Sequence, residues 1–98
     1  MNLDNEIKED NEFLEEVKNN LNITWKDDET DNKVRGYIKQ GVEVLQDDVK
    51  TSIDFYDDNI ARGLLKTFCR YAWNNSEEYF IENNLHYILK LEVKYGKS

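Results

Sequence analysis

The stretch NIARGLLKTFCRYAW, residues 59–73, is the most strongly apolar helical pattern in the chain. Ala61, Leu64, Leu65, Phe68 and Ala72 recur at i, i+3, i+4, i+7 and i+11, the spacing of one face of an α-helix. Ile60, Cys69 and Trp73 widen that face until little is left for water. A helix apolar over most of its circumference belongs at the centre of a bundle. On its remaining edge Arg62, Lys66 and Arg70 follow one another by four, a basic stripe along the helix.

The segments on either side carry weaker versions of the same period. Upstream, Val34, Tyr37, Ile38, Gly41, Val42, Leu45 and Val49 predict a long helix over about residues 32–49. Gly41 lies on its apolar face. Glycine there costs about 1 kcal/mol against alanine, so a close helix–helix approach is the expected reason for it. Earlier still, Phe13, Leu14, Val17 and Leu21 predict a helix over about residues 11–20, stopped by Asn19, Asn20 and Asn22. The run Ile23-Thr24-Trp25 leaves that helix, with Trp25 expected as an anchor in the core. Thr30 or Asp31 is the expected cap of the long helix. Residues 51–56 alternate, so a short extended segment should turn Ile53 and Phe55 inward. Asp57 or Asp58 then caps the central helix.

Downstream, Ser76 with Glu77 and Glu78 predicts the start of one last helix, ending at Tyr95-Gly96. That helix has two apolar stripes. One is Ile81, Leu85, Ile88 and Leu89; the other is Phe80, Tyr87, Leu91 and Tyr95. A small bundle buries one side of a terminal helix more readily than both. The second stripe, with Arg62, Lys66 and Arg70, is therefore the candidate oligomer or partner interface. The expected fold is all-α: a small bundle of about four helices with a short extended segment between the second and third. One domain spans residues 11–96, with a polar, disordered N-terminus over 1–10 and a tail at 97–98.

The charge is unevenly placed. The chain has 98 residues and a formal net charge of −8. Residues 1–31 hold eleven acids and three lysines, whereas residues 32–98 balance ten acids with ten bases. Such a surface does not recruit nucleic acid, since phosphate neutralisation needs clustered Lys and Arg. Cys69 is the only cysteine, so no disulfide is available, and it sits on the apolar face as a small hydrophobe. A single cysteine fits synthesis in a reducing compartment. The opening MNLDNEIKED is the reverse of a secretory leader, and no run of about 18 apolar residues predicts a membrane span.

No catalytic constellation emerges. His86 is the only histidine and has no cysteine pair to share a metal with. Asp27, Glu29 and Asp31 imitate the opening of a calcium loop, but its sixth position is Asn32 rather than glycine and its twelfth is Ile38 rather than glutamate. Gly36 and Gly41 fall inside a predicted helix rather than in a phosphate loop. Ser52, Ser76 and Ser98 form no nucleophile elbow. An interaction protein without cofactor or metal is the expected class, and an enzyme is not.

Taken together, FLEEVKNNLNITW, DDETDNKV, IKQGVEVLQD, IDFYDD, LLKTFCRYAWNNSEEYF and ILKLEVKYG resemble the head–tail connector family of tailed phages, also called adaptor or head-completion proteins. The resemblance covers residues 13–96 and rests on packing positions. The acidic N-terminus departs from it, as does an asparagine-rich composition that suits a host with AT-rich codons. The resemblance implies a small helical subunit, made in the bacterial cytoplasm and carried in the virion. Its copies form a homo-oligomeric ring on the portal protein and present a surface to the stopper or tail-completion protein. DNA passes through the channel without specific binding, and neither a cofactor nor a membrane is involved. The alternative is a small acidic regulatory module of the DNA-mimic or anti-repressor type, which needs its acids arrayed at phosphate-like spacing on one face.

Overall fold

The structure, a computed structural model, describes residues 3–47 and 49–96; the expected tail at 97–98 lies outside them. Its centre is the stretch singled out above, a helix (α4) over Asn59–Trp73. Asp58 opens it, its Oδ1 accepting from the Ile60 and Ala61 amides at 3.0 and 3.1 Å. Asn75 closes it in the left-handed region at φ 56°. The Asn75 amide then donates to Ala72 O at 3.0 Å and the Ser76 amide to Tyr71 O at 2.8 Å. That pair of bonds satisfies the last carbonyls of the helix, and asparagine tolerates the geometry better than most residues. Ala61, Leu64, Leu65, Phe68, Cys69 and Ala72 are all buried.

Upstream of it, α3 spans Asp28–Asp47 and runs antiparallel to α4. Near its start the Lys33 ammonium lies 5.4 Å from the Trp73 ring centroid; further along, Gly41 meets Leu65 and Phe68. A β-carbon on Gly41 would fall 2.7 Å from Leu65 Cδ1 and 2.9 Å from Phe68 Cδ2. The close approach expected from that glycine is present. The helix begins earlier than residue 32 because Asp27, rather than Thr30 or Asp31, opens it. The Asp27 carbonyl accepts from the Asp31 amide at 2.9 Å, and its Oδ2 accepts from Thr30 Oγ1 at 2.8 Å.

Two helices precede α3. The second of them, α2, covers Asn11–Asn20 and buries Phe13, Leu14 and Val17. It closes like α4, with Asn22 at φ 62° and the Ile23 amide donating to Lys18 O at 2.9 Å. The first, α1, covers Leu3–Glu9 and corrects the expectation of a disordered terminus. Its Ile7 is fully buried in the common core, and the helix packs on α3. Isolated, seven residues would be too few to hold a helix in water; tertiary contact supplies what the local sequence lacks.

Between α3 and α4 the chain passes through bends at 50–51 and a turn at 55–57 in place of the expected extended segment, and Ile53 and Phe55 are both fully buried. Gln46 straps this connection: its Oε1 accepts from the Ile53 amide at 2.9 Å and its Nε2 donates to Thr51 O at 2.7 Å. The Lys50 amide donates to Gly96 O at 2.8 Å, tying the connection to the end of the chain.

The last predicted helix is broken. A 3-10 turn over Glu77–Tyr79 leads into a short α5, Phe80–Asn83, and then into α6, Leu85–Tyr95. Asn84 makes the break: it adopts φ −122°, ψ 18°, and its Nδ2 donates to Phe80 O at 2.9 Å. Ser76 does not cap; its Oγ donates to Tyr71 O at 3.1 Å. The fold is all-α, with six α-helices among the described residues in place of about four. The difference comes from the added α1 and from the break at Asn84. No helix among the described residues is long and apolar enough to cross a membrane.

Candidate interaction surface

The basic stripe divides. Arg62 and Lys66 both reach Glu16 of α2: Arg62 through Nη2 and Nε, Lys66 through Nζ at 2.8 Å. The Arg62 guanidinium also lies 4.8 Å from the Phe13 ring centroid and donates to Phe55 O at 3.2 Å. The hydrogen bonds from Arg62, aided by Lys66, outweigh burial and hold the Glu16 carboxyl at about 2. Glu16 in turn raises the Arg62 pKa. Two members of the stripe are thus engaged within the subunit, which removes them from the candidate interface. Arg70 stays exposed and makes no ion pair among the described residues.

Two other acids of the first third, Asp31 and Asp10, are used in the same way. Asp31 takes the ammonium of Lys18 at 2.7 Å, with Lys18 itself almost wholly buried. This contact raises the lysine's pKa against the effect of burial. Asp10 accepts from the Phe13 amide at 3.0 Å and from the Tyr56 hydroxyl at 2.9 Å. A fourth clasp joins α4 to α6, where Asp58 Oδ2 accepts from the Tyr95 hydroxyl at 2.6 Å and faces Lys94 Nζ at 3.0 Å. Burial pushes Asp58 up, but the bonds from Tyr95, Lys94 and Ala61 leave it below the usual carboxylate range. Burial and the bond to Asp58 push the Tyr95 hydroxyl up to about 12.

Of the candidate stripe Phe80, Tyr87, Leu91 and Tyr95, only Tyr87 is substantially open to solvent. Phe80 is fully buried between Phe68 and Tyr71, edge-on to both rings at 5.2 and 5.8 Å. Leu91 is buried with Ile88 on the inner side of α6, and Tyr95 is held by Asp58. Phe80 and Leu91 belong to the core, Tyr95 packs partly buried against it, and the three are engaged within the subunit. Counting by helical spacing across Asn84 mixes two registers, because the break there rotates α6 relative to α5.

The side left in water is the other one. Leu85, Leu89 and Val93 follow one another by four along α6, Leu89 at 47% and Val93 at 86% exposure, and Ile81 is exposed on α5 before the break. The spacing of Ile81, Leu85 and Leu89 was visible in the sequence; Val93 extends it by one more turn. Beside this stripe, α4 and α6 enclose an apolar groove of about 320 Å³ lined by Ile60, Gly63, Leu64, Thr67, Asn84 and Tyr87. The groove was not foreseen, since Ile60 and Leu64 counted with the buried face and only the small Gly63 and Thr67 separate that face from the basic stripe.

Trp25 is likewise corrected. Ile23 takes the core position, and the indole stands at 50% exposure on the loop between α2 and α3. His86 is exposed, its ring 5.5 Å from that of Tyr87. No three His, Cys, Asp or Glu side chains among the described residues come together to hold a metal ion. No protein family, no curated protein and no solved structure matches this chain.

Proposed function

We propose that this chain is a structural, non-catalytic subunit that assembles with copies of itself into a ring, of the kind that joins a phage head to its tail. The observation that carries the reading is the outer side of α6. Three aliphatic residues, Leu85, Leu89 and Val93, stand in water along one line of α6, and Ile81 is exposed on α5 just before it. Aliphatic stripes of this kind mark protein interaction sites. Copies of net charge −8 repel one another, so apolar burial must supply the attraction, at about 25 cal/mol per Å². The ring would seat on the portal protein, lead DNA towards the stopper or tail-completion protein, and be carried in the virion. An acidic channel wall would keep passing DNA from adhering.

The alternative is a small acidic regulatory module of the DNA-mimic type. Asp10, Glu16, Asp31 and Asp58 are committed to caps and clasps inside the subunit, so such a mimic would draw on the remaining acids. Sedimentation velocity from micromolar to millimolar concentration tests the proposal. Wild type should shift to a defined larger species, and Leu89→Glu should sediment as a monomer with unchanged helical circular dichroism. A wild-type chain that stays monomeric throughout would overturn it.

A further inference from the structure

We infer that the exposed Trp25 loop of one copy seats in the α4–α6 groove of a second copy; this rests on the self-assembly proposed above and adds a contact beside the outer side of α6 that gives the assembly its direction. Trp25 is held ready for such a role. Its Nε1–H donates to Thr30 Oγ1 at 3.2 Å, and that hydroxyl donates to Asp27 at 2.8 Å. The indole's one polar atom is therefore satisfied by the first turn of α3, and the rest of the ring is offered as apolar surface. Tryptophan anchored in this way is the residue type most enriched at the energetic centre of interfaces.

The groove suits an aromatic guest. Ile60, Leu64 and Tyr87 give it apolar walls. Gly63 leaves its floor open, since nothing lies within 4 Å of where a β-carbon would stand. The charges around the two surfaces are opposite. The loop and the first turn of α3 together carry exposed Asp27, Asp28 and Glu29 against a single exposed base, Lys26. Beside the groove, Lys90 lies over the Tyr87 ring at 5.6 Å, His86 is exposed next to Tyr87, and Arg70 stands one turn beyond Thr67 along α4 without an ion pair among the described residues. Complementary rims of this kind fix orientation and suppress wrong pairings.

Within one copy the two surfaces cannot meet. The loop enters α3 at the end that lies beside Trp73, whereas the groove centres on Gly63, roughly 15 Å back along α4 at 1.5 Å per residue. Each copy thus has a knob at one end and a socket at the other. Such a contact is heterologous, and it closes into a ring when the rotation between neighbours permits.

The test mixes two full-length variants, Lys26→Cys on the loop and Asn59→Cys at the groove, and treats them with a short bismaleimide linker. Sedimentation is read on the same samples. Cys69 is fully buried and stays silent. The expected result is a cross-linked heterodimer in the mixture and little product from either variant alone. Adding Trp25→Ala should reduce the yield roughly tenfold or more while helical circular dichroism is unchanged. Association without the cross-link, or a yield indifferent to Trp25→Ala, would overturn the knob-and-socket assignment and leave the assembly reading standing. Absence of any association would overturn both.

Discussion

Glu16 gathers two cations onto one carboxylate, and the consequence is a specific acid sensitivity. Its pKa lies at about 2 in the folded chain against an ordinary 4.5. Because the folded value is the lower one, its stabilising contribution is complete above about pH 4.5 and disappears as pH falls towards 2. Water reaches about a third of the side chain, so screening limits that contribution to about 1 kcal/mol. Glu16→Gln should lose that much in urea unfolding at pH 7, and the two curves should converge near pH 2. Gly41 is the other decisive residue. Gly41→Ala gains about 1 kcal/mol of helix propensity but drives a methyl into Leu65 and Phe68, an overpacking that costs about 1–3 kcal/mol. A net loss of about 1 kcal/mol in the same assay is expected. The role of Gly41 was legible in the sequence because a glycine on an apolar helix face sacrifices helix propensity, and the close approach of a second helix is what offsets that loss. The partners of Glu16 were only half legible: an acidic first third and a basic stripe announce attraction, but not whether it is met inside one chain.

Among the elements, α4 was readable almost to the residue. Its period is unbroken from Asn59 to Trp73, and Asp58 and Asn75 bound it with local chemistry. The elements that escaped are those whose structure depends on distant contacts. Helix α1 has a polar local sequence, and only the docking of Ile7 into the core explains its order. Ile7→Ala should therefore cost about 2–4 kcal/mol, with the loss seen as one cooperative unfolding transition. An unchanged midpoint would mean that α1 is dispensable to the core. The break between α5 and α6 escaped for a different reason. Asn83 and Asn84 are ordinary on an exposed helix, and nothing in the spacing of apolar residues shows that the register changes there. That single change moved Phe80 and Leu91 from a candidate interface into the interior and laid Tyr95 against it. It left Leu85, Leu89 and Val93 of α6 outside, with Ile81 of α5 exposed beside them.

The whole molecule measures 39 × 31 × 18 Å. A helix with its side chains is roughly 10–12 Å across, so the thin direction holds about two layers. A slab of that depth buries the inner side of a peripheral helix and leaves its outer side in water. This is why α6, rich in aliphatic residues around its circumference, cannot be satisfied by its own chain. The surplus was legible in composition and pattern, but which side would remain open was settled only by the packing of Ile88 and Leu91 against α4. The central claim is that a neighbouring copy covers the outer side of α6, and Val93→Cys tests it most directly. Position 93 is the most exposed point of that line, while the native thiol of Cys69 is buried and its pKa pushed up to about 12. Alkylation of Cys introduced at 93 should be rapid in dilute solution and strongly slowed in the assembled species. Equal rates in the dispersed and assembled states would show that no neighbour covers this face.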